Sequence, residues 1–285
     1  MLVIFDTANA YYLPQYLPII EVLKANGHDT VLVCYSCNIG DDFKKGAVTQ
    51  LDVECRWMEG EKEASNLYVE LKPDWVFFGN SFKYLGLLHS AGIQTAQLGH
   101  GIGPKPSYYH KSSTPMTVRF IEGSGRLARI KELYPFDKFV QVGFSKLDPM
   151  FNNKEVGLDF KKLGLDVYKP TILYAPTFNP SSLGCFPDDW PKDFSNYNIL
   201  IKPHTFTYAI DKYASQRVKL KKWSVFPNVY VASPLELSLL PFMKSADVLL
   251  SEASSTLFEF AALDKPVIVC DFFKIKWSYR GPLRY

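Results

Sequence analysis

Short apolar runs alternate with longer amphipathic stretches through the first 100 residues. Leu2–Phe5 (LVIF) reads as a buried strand, and Leu13–Asn26 carries apolar residues at Leu17, Ile20, Val22 and Leu23, the spacing of one helix face. Gly27 ends that helix, and Asp29–Cys34 (DTVLVC) is the next strand. Strand, helix and strand in so short a span make a βαβ unit and imply a parallel sheet. The alternation continues with a helix over Glu63–Leu71, a strand over Trp75–Phe78, a helix over Leu85–Ala91 and a strand from Gln94 to Gln97. A strand at Val118–Glu122, a basic helix at Ser124–Leu133 and a strand at Val140–Gly143 follow. The polar, Asn/Lys-rich stretch Phe144–Lys161 marks a crossover, so residues 1–150 and 151–285 are expected as two domains.

The second half starts the pattern again. Strands are expected at Thr171–Tyr174, Asn198–Ile201, Val229–Val231 and Val248–Leu250, with a helix over Leu235–Lys244. The run Leu249–Asp271 combines the end of a strand, a small polar turn at Ser251–Ser255, a helix over Thr256–Leu263 and a final strand at Val267–Cys270. Asp264-Lys265-Pro266 stops the helix. The fold class is therefore α/β, with two doubly wound, Rossmann-like parallel sheets.

Composition narrows the function classes. The 285 residues are 47% hydrophobic and 21% charged with a formal net charge of +3, too weak a balance to imply nucleic acid. No window reaches the roughly 18 apolar residues of a membrane span, and the first basic residue is Lys24, so the apolar start reads as a core strand and not a signal peptide. The five cysteines are scattered, which fits a reducing, cytoplasmic compartment. Cys34 and Cys37 form a CxxC without a second metal-ligand pair and read as packed or loop residues; no metal and no cofactor is expected. Arg217, Lys219, Lys221 and Lys222 beside Trp223 leave two readings, a solvated face or contact with an anionic membrane surface.

Candidate chemistry gathers after the strands. Phe5-Asp6-Thr7-Ala8-Asn9 stands where a dinucleotide fold would carry GxGxxG, which argues against a dinucleotide bound in the usual manner. His100 lies between Gly99 and Gly101 just past a strand, where open α/β sheets bind ligands, and Lys202-Pro203-His204 follows another strand in the second half. A strand, a loop of hydroxyls at Ser254 and Ser255 and a helix start at Thr256 suit a phosphate, or else cap a helix in an ordinary βαβ unit. Glu259 sits four residues after Ser255 on the same helix face, as a ribose ligand or as a solvated helix carboxylate. An imidazole base and a cationic diphosphate site together suit group transfer from an activated donor.

On these residues the chain resembles the CDP-glycerol glycerophosphotransferases of teichoic-acid and capsule synthesis, which have the GT-B fold of two Rossmann-like domains and a central cleft. Their HGTPLK-like segment appears as His100-Gly101-Ile102-Gly103-Pro104-Lys105, and their YAPT and KPH segments as Tyr174-Ala175-Pro176-Thr177 and Lys202-Pro203-His204. A glycine-led segment ending in Asp is similar to Val142–Asp148, the TDYSS…FDYALLDKP segment to Ser251–Pro266, and the later RG to Arg280-Gly281. The resemblance implies that His100 is the general base on an acceptor hydroxyl, with Gly101, Gly103 and Lys105 on the acceptor side. It implies further that His204, Lys202, Ser254, Ser255, Thr256, Arg280 and Gly281 hold the donor, with Glu259 near its ribose. The reaction it implies moves glycerol phosphate from CDP-glycerol to a polymer or lipid-linked acceptor and releases CMP. Peripheral contact with the cytoplasmic face of the membrane goes with such an acceptor.

The chain departs from the family pattern in three places. Thr205 replaces Pro after KPH, Glu252-Ala253 replaces Asp-Tyr, and the sequence ends at Tyr285 soon after RG, which predicts a truncated second domain. Two other readings follow: a GT-B glycosyltransferase using a nucleotide sugar, and a nucleotide-binding remnant without turnover.

Overall fold

The computed structural model describes residues 1–36, 41–103, 106–109, 113–252 and 254–271. It divides into two compact units. The first holds Met1–Gly101 and Pro106–Asp148, and the second holds the described residues from Pro149 onward together with Ile102 and Gly103.

The first unit is a seven-stranded sheet in the order β3-β2-β1-β4-β5-β6-β7. Its strands are β1 (Leu2–Thr7), β2 (Asp29–Tyr35), β3 (Glu54–Met58), β4 (Trp75–Phe78), β5 (Gln94–Gln97), β6 (Val118–Ile121) and β7 (Phe139–Gln141). All pair in parallel, with Leu2–Thr7 set against Asp29–Cys34 and Val3–Asp6 against Trp75–Phe78. The connecting helices are α1 (Leu13–Ala25), α2 (Asp41–Val48), α3 (Glu61–Leu71), α4 (Leu85–Ser90) and α5 (Ser124–Leu133). Gly27 closes α1 in the left-handed region at φ 75°, and the following His28 N–H bonds back to Leu23 O at 3.0 Å. Chain order reverses between β1 and β4, so the loops leaving those strands border the crevice where open sheets take ligands.

A carboxylate is buried beside that reversal. Asp6, on β1, accepts hydrogen bonds from the Tyr35 hydroxyl on β2 and from the Tyr68 hydroxyl on α3 at 2.8 Å, and its backbone carbonyl accepts from Tyr16 on α1 at 3.0 Å. One residue thereby ties two helices and a strand to β1. The buried Lys44 ammonium donates to Tyr35 O, closing the same corner. Cys34 is buried at the end of β2, in keeping with a packed cysteine, and Cys37 lies outside the described residues.

The second unit is a five-stranded parallel sheet, β10-β9-β8-β11-β12, built from β8 (Thr171–Tyr174), β9 (Asn198–Ile201), β10 (Val229–Val231), β11 (Val248–Ser251) and β12 (Val267–Val269). Helix α6 (Asp148–Phe151) leads into it, and α7 (Thr205–Ala209), α8 (Ala214–Trp223), α9 (Leu240–Ser245) and α10 (Thr256–Ala261) connect its strands. The core gathers Tyr174, Leu183, Trp190, Ile199, Ile201, Leu220 and Trp223.

One expectation is corrected here. The helix expected over Leu235–Lys244 forms only at Leu240–Ser245. Ahead of it the Glu236 carboxylate accepts from the Ser233 N–H at 2.6 Å and the Tyr230 hydroxyl at 2.9 Å, so the chain makes a turn, and Pro241 in the first turn starts the helix late. In the basic and aromatic run Trp223 is fully buried, Arg217 donates to the carbonyls of Thr207 and Ile210, and Lys219 and Lys222 meet Asp188, while Lys221 and Lys222 remain exposed. Those contacts tie α8 to its own unit. No helix among the described residues is long and apolar enough to cross a membrane.

Burial pushes the Asp6 carboxyl up from its ordinary value near 3.8 to about 7, against the two tyrosine hydrogen bonds. A folded-state value above the unfolded one favours folding fully below about pH 4, and that contribution is lost as pH rises toward 7. Asp6→Asn, which keeps an acceptor for the tyrosines, should therefore flatten the decline in stability between pH 4 and pH 7. Urea denaturation of both proteins across that range checks it; parallel profiles would remove Asp6 as the source.

Candidate functional site

In the first unit the imidazole is held at the β1/β4 reversal. His100 lies past β5, half-buried, with Nδ1 at 3.3 Å from the carbonyl oxygen of Gly79, the residue that follows β4. A carbonyl only accepts, so Nδ1 is the donor in this contact, and a ring that is neutral then has its lone pair on Nε2. Three tyrosines wall the ring, with centroids at 5.4 Å for Tyr11, 5.7 Å for Tyr12 and 5.3 Å for Tyr108. Tyr12 is itself fixed, because its hydroxyl accepts from Asn80 Nδ2 at 2.9 Å and its ring lies over Gly79. A Cβ at Gly79 would stand 2.7 Å from that ring, so only glycine admits this packing.

Arg126 on α5 straps the loop from the other side. Its Nη1 donates to Gly101 O at 3.4 Å and its Nη2 to Tyr108 O, while both Glu122 oxygens receive Nη1 at 3.0 and 2.9 Å. The guanidinium also packs on the rings of Tyr108 and Tyr109. Neither Glu122 nor Arg126 was singled out from the sequence; their i, i+4 spacing is the signal that points to them. Gly103 is in the left-handed region at φ 115°, and Lys105 lies outside the described residues.

In the second unit the candidates fall on two loops, separated by the central strand β8. Lys202 and His204 follow β9. Lys202 is 7% exposed, with its ammonium 6.0 Å from the Phe242 ring centroid. His204 caps α7: its Nδ1 accepts from the Phe206 N–H at 3.1 Å, so the proton of the neutral ring sits on Nε2, a donor. Phe178 and Phe206 pack on the ring at 4.7 and 5.0 Å. After β11, Ser254 Oγ accepts from the Thr256 N–H at 3.3 Å and donates to Thr256 Oγ1 at 3.0 Å, while Ser255 makes no side-chain cap. Helix α10 is shorter than the expected Thr256–Leu263. Glu259 is fully buried, which removes the solvated-carboxylate reading. Arg280 and Gly281 lie outside the described residues.

Glu252, noted in the sequence only as a departure, is also fully buried and spans the β8/β11 reversal. It accepts from the Thr177 N–H at 2.8 Å, the Ser182 N–H at 3.2 Å and the Ser182 hydroxyl at 2.8 Å. Burial raises its pKa against those hydrogen bonds. It shapes the loop after Tyr174-Ala175-Pro176-Thr177 from inside.

Residues 124–278, more than half of the chain, match the model of the CDP-glycerol:poly(glycerophosphate) glycerophosphotransferase family. The chain belongs to that family. A teichoic acid glycerol-phosphate primase of Bacillus spizizenii is 29% identical over 160 residues, which cover 53% of this chain and 39% of the primase, so the match spans about two fifths of that relative's length. The wall teichoic acid polymerase TagF superposes with a TM-score of 0.63 at 14% identity, covering 94% of this chain and 69% of that structure. A UDP-GlcNAc 2-epimerase from Neisseria meningitidis, solved with UDP-GlcNAc bound, superposes with a TM-score of 0.63 at 15% identity, covering 98% of this chain and 85% of that one. At these identities the superpositions establish the fold, two Rossmann-like units of the GT-B kind.

Two outcomes follow from the geometry. Glu252→Ala strands buried donors of Thr177 and Ser182 and should destabilise the second unit by about 3 kcal/mol, while Glu252→Gln, which mimics the protonated side chain, should cost well under half of that. Chemical denaturation of the two variants reads the difference. Arg126→Lys keeps the charge but loses the fork that reaches Gly101 and Tyr108, and should speed amide exchange across residues 100–109. Unchanged exchange there would show that the strap does not order the loop.

Proposed function

We propose that the chain transfers glycerol phosphate from CDP-glycerol to a hydroxyl of a cell-surface polymer or lipid-linked acceptor, releasing CMP. Family membership supports the donor class. The observation that carries the mechanism is the opposite tautomer preference of the two histidines. His100, with its Nδ1 proton given to Gly79 O, has a basic Nε2 for an acceptor hydroxyl. His204, with Nδ1 taken by the Phe206 N–H, offers Nε2–H to an anionic oxygen.

In the step itself the acceptor oxygen bonds to the β-phosphorus of CDP-glycerol as its proton passes to His100 Nε2. The bond from that phosphorus to the bridging oxygen breaks, and the electron pair leaves on the α-phosphate of CMP. His204, Lys202, Ser254, Ser255, Thr256, Arg280 and Gly281 are assigned to the donor phosphates and Glu259 to the ribose. Gly101, Gly103 and Lys105 are assigned to the acceptor side. No cofactor enters this scheme. Work on a lipid-linked acceptor would bring the chain to the cytoplasmic face of the membrane.

The test offers CDP-glycerol, other CDP-alcohols and UDP-sugars with candidate acceptors and follows nucleotide release. CMP from CDP-glycerol is expected; UDP or CDP release instead would favour a nucleotide-sugar transferase. His100→Ala should lower turnover by roughly 10²-fold or more while donor binding stays nearly unchanged, the loss typical of removing a general base. Equal turnover in that variant would take His100 out of the mechanism.

A further inference from the structure

The turn between α5 and β7 carries the most exposed large apolar side chain among the described residues. Phe136 is 99% exposed, and Leu133, the last residue of α5, is 44% exposed. The fold makes no use of that phenyl ring, yet the backbone beneath it is firmly held. Asp137 forms an ion pair with Arg119 of β6 at 3.5 Å, and both side chains are buried. The Arg119 guanidinium packs on the rings of Tyr134 and Phe139. The Asp137 N–H reaches Tyr134 O at 3.2 Å, and the Arg119 N–H reaches Lys138 O at 2.9 Å. Breaking a buried pair leaves a charge uncompensated, so this tie keeps the turn in one shape with its apolar tip in water.

The charge left over around the tip has one sign. Between Arg119 and Val142 the acidic residues are Glu122, Glu132 and Asp137, and they face Arg126, Arg129 and Arg119 respectively. Lys131 and Lys138 are exposed and enter no ion pair among the described residues. Two uncompensated cations thus stand on either side of the tip in the sequence. A protruding tip has no recess to receive a peptide, and two lysines are few for the phosphates of a nucleic acid. An anionic lipid surface suits both features, taking an apolar ring at the acyl boundary and ammonium groups at its phosphates.

We propose that this turn is a membrane-docking element, which sets Phe136 into an anionic lipid surface with Lys131 and Lys138 on its headgroups. The turn leads into β7, whereas the His100 loop leaves the far end of β5. All strands of the sheet are parallel, so the two lie at opposite ends of it. A bilayer at the turn leaves the His100 end facing solvent, which suits an acceptor whose reacting end stands away from its lipid. That consequence rests on the transferase reading; the lipid contact does not.

The experiment sediments the full chain with vesicles of phosphatidylglycerol and phosphatidylcholine, and with vesicles of phosphatidylcholine alone. Binding to the anionic vesicles, weakened by salt, is expected, with little binding to the neutral ones. The anionic vesicles should also slow amide exchange across residues 133–140. Phe136→Ser removes a side chain the fold does not use, so its urea midpoint should match the parent's. It should weaken vesicle binding about tenfold, the change expected when one phenyl ring stays in water. Lys131→Gln combined with Lys138→Gln should weaken it on the order of tenfold as well. Undiminished binding by Phe136→Ser, equal binding to neutral vesicles, or no binding would overturn the proposal. Loss only in Lys221→Gln combined with Lys222→Gln would also overturn it, by moving the contact to α8. Self-association that Phe136→Ser abolishes, without vesicle binding, would make the tip an interface between copies instead. A chain that binds vesicles through Phe136 yet releases no CMP keeps the docking element and loses the transferase reading.

Discussion

A buried carboxylate at the point where strand order reverses anchors each unit. Asp6 on β1 collects two tyrosine hydroxyls; Glu252, just past β11, collects the amides and hydroxyls of the loop after β8. A carboxylate in such a place is tolerable only with several donors aimed at it, so it dictates where its donors must be. Asp6 thereby sets the positions of β2 and α3 against β1, and Glu252 sets the loop that opens from Thr177. Both lie where doubly wound sheets expose strand ends, which lets the neighbouring loops be short and still well placed.

The loops that carry the histidines exploit that rigidity differently. His100 is a side chain held by a carbonyl at a strand end, and His204 a side chain held by an amide at a helix start. The backbone partner decides which ring nitrogen keeps the proton, and so one residue type serves as acceptor in one unit and donor in the other. The surroundings are apolar in both cases, three tyrosines about His100 and two phenylalanines about His204. An apolar wall strengthens whatever hydrogen bond the exposed nitrogen makes.

Strands were the most legible elements in the sequence. Trp75–Phe78, Thr171–Tyr174, Asn198–Ile201 and Val229–Val231 fall where their apolar runs place them, because a parallel strand buried on both faces needs little but apolar residues. Helices with polar competition were harder. Leu235–Lys244 has helical spacing, yet Glu236 binds the Ser233 N–H and the Tyr230 hydroxyl and holds its first half as a turn. Helix α2 and strand β3 carry too mixed a pattern to register at all. Around the site, the motif residues could be located and Glu122 and Arg126 carry a local spacing signal, but Asp6 could not be found, since its partners Tyr35 and Tyr68 are distant along the chain. In the Arg217–Trp223 run the charges are visible in the sequence, and the carbonyls and the carboxylate that hold Arg217, Lys219 and Lys222 are not.

Gly79 has an effect out of proportion to its size. It supplies the carbonyl that sets the His100 tautomer and, by lacking a Cβ, the flat seat on which Tyr12 rests. A methyl group there would push the tyrosine ring outward and with it one wall of the imidazole. The His100 tautomer is thus governed by an achiral residue at the end of the neighbouring strand. Side chains around the imidazole can vary long before position 79 can.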